Sequence, residues 1–152
     1  MDKLLDDYRA DRLMVGRDQL TFRVGSAATD GALLAVEVRL PAGGGPPVLH
    51  RHAPLEVYRV ERGELVLYVE DDRGEVERIV ATTGAVVHIP AWRAHTVRNE
   101  SDADALAYVV FAPGAEIERF MRAAGALGDP ADVMALAERH GIEMTMPAPV
   151  PG

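Results

Sequence analysis

Four side chains able to bind a metal lie in two separated clusters, and they constrain any fold the chain adopts. The first cluster reads Gly44-x5-His50-x-His52-x3-Glu56-x6-Gly63, and the second reads Gly84-x5-Pro90-x-Trp92-x2-His95-x3-Asn99. Three imidazoles and one carboxylate form a thiolate-free donor set, which suits Fe, Mn, Ni, Cu or Zn. In a strand, residues i and i+2 share a face. His50 and His52 therefore project together, while Arg51 between them points away, as a cation beside a metal should. Glu56 keeps the same parity, but Pro54 interrupts the run, so a turn or strand junction separates it from His52. His95 must arrive from a different strand to complete the set. Four protein ligands leave open positions on an ion that prefers five or six.

The surrounding texture is β. Short aliphatic and β-branched runs recur at 20–24, 33–40, 48–52, 56–61, 64–69, 76–81, 86–89, 95–99 and 105–111. The breaks between them carry turn chemistry at Thr29-Asp30-Gly31, Asp71-Asp72-Arg73-Gly74 and Thr83-Gly84. The Pro- and Gly-rich stretch 41–47 cannot continue a strand and reads as a loop into the first ligand strand. After Pro113 the period changes. Ile117, Phe120, Met121 and Ala124 fall on one helical face that ends at Gly125. Asp129 as N-cap and Pro130 at the first helical position start a second helix that runs to His140, with Gly141 beyond it. The fold class is thus all-β, a closed barrel or two-sheet jelly roll with two short C-terminal helices. The expected organisation is an N-terminal arm over 1–18, a barrel over 19–114 and a helical appendix over 115–152. In this segment Leu4, Leu5, Tyr8 and Leu13 can line one face of a short helix or pack as an arm. The tail from Met146, with its three prolines, should be irregular.

The two clusters resemble the signature motifs of the cupin superfamily, and the likeness covers about residues 20–112. Thr29-Asp30-Gly31-Ala32, the loop from Gly43 to His52, Ala112-Pro113-Gly114 and the C-terminal helices also look like small single-domain cupins of the quercetin-dioxygenase-like type. That resemblance implies an antiparallel jelly-roll barrel with a metal inside it. His50, His52, Glu56 and His95 match the ligand positions, Gly63 and Gly84 match turn glycines, and Asn99 matches the closing polar position. Trp92 departs from the pattern, which usually has glycine there. A locally different turn is expected, with the indole either covering apolar surface or lining the pocket mouth.

Parity extends the site. Tyr58 and Val60 share a face with Glu56, Val97 and Asn99 with His95, and Val48 with His50. With Trp92 they form the expected pocket, which has apolar walls and few polar groups. His88 alternates with Val87 and Ile89 and should face outward. His140 sits at a helix C-terminus, where a cation is favoured. Glu70-Asp71-Asp72 reads as a solvated turn.

The net charge of −8 argues against nucleic acid and against an anionic membrane surface. The start of the chain is too charged for a signal peptide, and no apolar run reaches the ~20 residues of a span. A cytoplasmic protein acting on a small molecule is expected, and the resemblance adds a homodimer. Three functions fit the ligand set. One is a dioxygenase for an aromatic or enolic compound, with Fe, Ni or Mn favoured over Cu or Zn; there the resemblance to quercetin dioxygenases implies that Glu56 is both ligand and proton acceptor. The others are a Lewis-acid isomerase, cyclase or lyase, and a non-catalytic small-molecule binder.

Overall fold

The computed structural model describes residues 11–151. Ten strands precede the helices: β1 Asp11–Val15, β2 Asp18–Val24, β3 Leu34–Leu40, β4 Val48–Arg51, β5 Leu55–Arg62, β6 Glu64–Glu70, β7 Val76–Thr82, β8 Val86–Ile89, β9 His95–Arg98 and β10 Ala105–Ala112. Helices α1 (Ala115–Ala124) and α2 (Pro130–Arg139) follow, and β11 (Glu143–Pro147) closes the described chain. The strands form two antiparallel sheets, ordered β1-β2-β3-β10-β5-β8 and β11-β4-β9-β6-β7. Among the described residues no helix is long and apolar enough to cross a membrane.

The core lies between the sheets, and strand alternation fills it. Along β10, Ala105, Ala107, Val109 and Phe111 are buried and their neighbours are not. Along β5 the inward positions are Glu56, Tyr58 and Val60. Tyr58 and Val60 meet Leu20, Phe22, Val36, Leu65, Leu67 and Val97 in one apolar cluster. A carboxylate thus occupies a row of core positions, where an unpaired charge is costly.

Two elements differ from expectation. From Asp11 the chain is a strand and not a helix: Leu13 and Val15 turn to the core while Asp11, Arg12 and Met14 face water. Leu4, Leu5 and Tyr8 lie outside the described residues. Residues 143–147, partly expected as irregular tail, pair antiparallel with β4 and place Met144 opposite His50. Proline is tolerated there because β11 is an edge strand and Pro147 stands at its end.

The loop before β4 is pinned to the end of β9. Gly43 N–H donates to the Asn99 carbonyl at 2.8 Å, and Asn99 N–H donates to Gly44 at 3.0 Å. Gly45 has φ +104°, and a Cβ there would meet the Val97 carbonyl oxygen at 2.1 Å. Only glycine lets the loop lie this close to the strand that carries His95.

Helix α1 is tied to the first strands by one arginine. Arg122 bridges Asp11 at 2.6 Å and Glu118 at 2.8 Å, and its guanidinium lies 4.1 Å from the centre of the Phe22 ring. Glu118 also accepts from the Ser26 N–H and hydroxyl, both at 2.7 Å. The Arg122 hydrogen bond holds the Asp11 carboxyl below its ordinary value. Burial alone would raise Glu118, but the Ser26 and Arg122 bonds outweigh it and the net shift is downward. Near pH 4 the folded chain therefore binds fewer protons at these groups than the unfolded chain. Their contribution to stability is present above the unfolded carboxylate values and disappears as pH falls through the lower folded ones. Arg122→Met should lower stability by about 1 kcal/mol at neutral pH. The deficit should shrink as the carboxylates protonate, as read by urea melts at pH 7 and pH 3. A deficit independent of pH would assign the effect to packing on Phe22 alone.

Candidate metal centre

The two clusters meet at adjacent strands. His50 in β4 stands opposite His95 in β9, His52 follows β4 directly, and Glu56 enters from β5 in the facing sheet. The ligand atoms of His50, His52 and His95 all lie within 4.8 Å of one another. Ring centroids are 4.8 Å apart for His50 and His95, 5.3 Å for His52 and His95, and 5.8 Å for His50 and His52. Glu56 Oε2 lies 2.9 Å from His52 Nε2 and also contacts His95 Nε2.

Each imidazole is oriented by the main chain. Nδ1–H of His50 donates to the Val48 carbonyl at 3.0 Å, that of His52 to Pro54 at 2.8 Å, and that of His95 to Arg93 at 2.8 Å. A carbonyl oxygen can only accept, so Nδ1 carries the proton in all three rings. In the neutral form each Nε2 then offers a lone pair to the common centre, the arrangement that metal-binding histidines adopt.

The electrostatics fit a cation. Glu56 Oε2 and His95 Nε2 are buried and lack a hydrogen-bond partner. Burial depresses His50 to about 4, with the neighbouring His95 charge as a further cause, so its lone pair is free at neutral pH. Burial also acts against a charged Glu56, yet the His95 charge and the adjacent imidazoles hold its carboxyl well below the usual range. Desolvation opposes a charged His95, but Glu56 raises it. Burial, then the charge of Glu56 and a hydrogen bond to it, push Tyr58 well above its ordinary value, so its hydroxyl stays protonated. A carboxylate among three imidazoles is the donor set of a divalent ion, and the residues present fit one.

The centre opens into a cavity of about 390 Å³, within the usual size range for small-molecule sites. Val48, Tyr58 and Val97 line it, together with His50, His52 and Glu56. Three expected residues do not. Val60 is buried in the core below it. Asn99 donates to the Leu40 and Ala103 carbonyls at 2.9 and 2.7 Å and braces the loop instead. Trp92 is 52% exposed and off the cavity. Parity reasoning missed Phe111, Phe120, Met121 and Met144 on the wall. The helical face that holds Phe120 and Met121 is visible in the sequence, but what it packs against is not. A wider groove of about 510 Å³ runs beneath the C-terminal tail and contains no histidine, so it lies apart from this chemistry. His88 faces solvent as expected. His140 ends α2 and bonds Glu116 of α1 at 2.6 Å.

The Cupin domain family matches residues 36–111, half of the chain, and the protein belongs to this family. No curated protein matches it significantly. Among solved structures, it is similar to an RmlC-like cupin from Shewanella frigidimarina, with 18% identity, TM-score 0.61, and 78% of this chain and 96% of that one covered. It is also similar to an oxalate decarboxylase variant from B. subtilis, at 18% identity, TM-score 0.61 and 71% coverage of this chain. It spans only 28% of that decarboxylase chain. A cupin-superfamily sugar phosphate isomerase from Silicibacter pomeroyi is 26% identical, with TM-score 0.56, covering 71% of this chain and 74% of that one.

The turn at Trp92 is not rearranged by the bulky residue. Trp92 takes the left-handed conformation itself, with φ +63°, and its N–H donates to the His52 carbonyl at 2.8 Å. The backbone does what a glycine would do there, at a cost of roughly 1 kcal/mol for a non-glycine residue. Trp92→Gly should remove that cost while adding unfolded-state entropy, leaving stability within about 1 kcal/mol of wild type. Metal content per chain should not change. A loss of metal in Trp92→Gly would show that the indole itself holds the turn in place.

Proposed function

We propose that the chain is a metal-dependent dioxygenase for a small aromatic or enolic compound, with His50, His52, Glu56 and His95 holding one divalent ion. Fe, Ni or Mn is favoured, and Cu and Zn fit the same donors. The two sheets would close around it as the family's jelly-roll barrel. The observation that carries this reading is the convergence of three Nε2 atoms and a buried carboxylate at the end of a largely apolar cavity.

A bound ion would supply Lewis acidity and an open position for oxygen chemistry. The chain's own residues do the rest. Glu56, buried and held ionised, would take the proton of an enol or phenol O–H that enters the centre. Tyr58, kept protonated beside it, can donate a hydrogen bond to the substrate oxygen. Val48, Val97, Val109 and Phe111 exclude water around the reacting group.

A second reading, an isomerase or lyase without oxygen chemistry, draws on the 26% identity to the sugar phosphate isomerase. Turnover under strict anaerobiosis separates the two. Elemental analysis of protein purified without chelator should give about one ion per chain, lost in His52→Ala. Glu56→Gln should keep a measurable part of the metal yet lose at least about a hundredfold in turnover, the usual contribution of a general base. Unchanged turnover in Glu56→Gln would exclude the carboxylate as proton acceptor.

A further inference from the structure

The cavity above the imidazoles is built from two sources. Strands within the family-matched residues 36–111 supply the metal-binding side chains and the floor. The β1–β2 hairpin, α1, α2, β11 and the loops flanking α2 supply slightly more than half of the lining positions. Phe120, Met121, Val133 and Met134 come from the two helices and Met144 from β11. These side chains carry no charge, and the thioethers adapt readily to an apolar surface.

The charges on the wall are few. Among the described residues they are Arg17, Asp18 and Glu56. Glu56 sits among the imidazoles. Asp18 accepts from the Gly45 N–H at 3.1 Å. Arg17 is exposed at the rim and donates to the Ala42 carbonyl at 3.3 Å, so its charge stays in water. An anionic group carried away from the metal end would be desolvated against rings and thioethers without a counter-charge, which is costly.

We infer that α1, α2 and β11 form the specificity-determining wall of this site, and that they select a substrate whose body beyond its metal-proximal oxygen is uncharged and apolar. This rests on the metal-centre reading above. It deepens that reading by excluding phosphorylated or carboxylate-bearing bodies. A fused two-ring aromatic fits a cavity of about 390 Å³.

The test compares 2-naphthol with 6-hydroxy-2-naphthoate by calorimetry on the zinc-loaded full chain. The two probes share the hydroxyl and differ by a carboxylate at the far end. We expect 2-naphthol to bind at least about tenfold tighter. Met121→Lys should weaken 2-naphthol by about tenfold and improve the hydroxynaphthoate, because the new ammonium pairs with the distal carboxylate. Met134→Lys, at a 37% exposed position that tolerates a charge, should shift the ratio the same way and serves if Met121→Lys fails to fold. Arg17→Ala should leave the ratio unchanged. Equal or tighter binding of the hydroxynaphthoate to wild type, no binding of either probe, or an unaltered ratio in both lysine variants overturns the inference. A ratio that depends on Arg17 overturns it as well. Failure of turnover with the ratio intact counts against the dioxygenase reading alone, and a reversed ratio with turnover intact counts against this inference alone.

Discussion

The three hydrogen bonds from imidazole Nδ1 to main-chain carbonyls are the constraint on which the site depends. Each acceptor lies two residues from its histidine, at Val48, Pro54 and Arg93. Ring orientation is therefore decided by backbone conformation within a few residues, and no second side chain is needed to hold it. The backbone is in turn fixed by pairing. His50 faces His95 across β4 and β9, and the Trp92 N–H bonds the His52 carbonyl. The turn of one cluster thus holds a histidine of the other. With Nδ1 committed in this way, every Nε2 points into the space that Glu56 closes from the opposite sheet.

Burying a carboxylate in an apolar core needs compensation, and here the compensation is local. Glu56 lies in the inward row of β5 between Leu55 and Val57, with Tyr58 and Val60 following it inward. Its charge is offset by imidazoles, and its Oε2 still lacks a hydrogen bond. A purely structural core would place an aliphatic residue there, because a half-satisfied buried charge destabilises more than it specifies. The polar cluster therefore reads as a binding feature that the rest of the core tolerates.

Much of this was legible in the sequence because strands and ligands obey short-range rules. Alternation located β2 through β10 to within a residue or two, and the Asp129-Pro130 start placed α2. The i, i+2 spacing of His50 and His52 predicted a common face, which the structure shows. Context-dependent features escaped. β11 was hidden because prolines argue against strands, and only its edge position makes Pro147 harmless. β1 was hidden because an edge strand with exposed Asp11 and Arg12 shows little hydrophobic periodicity. Asn99 was misplaced because parity gives the side a residue faces but not whether its polar group is already taken by Leu40 and Ala103. The cavity wall from α1 and α2 depends on how helices dock on a sheet, which no local pattern encodes.

The position of β11 has a consequence for how the protein can be handled. β4, the strand that carries His50 and leads into His52, has β9 on one side and β11 on the other. Its pairing to β9 rests on the single register pair His50–His95, so β11 provides most of its ladder. Trimming the chain before Glu143 would turn the strand that carries His50 into an open edge, with unpaired amides beside the imidazoles. Residues 143–147 are thus not a neutral place for truncation or fusion, because they are the outer neighbour of the strand that carries His50.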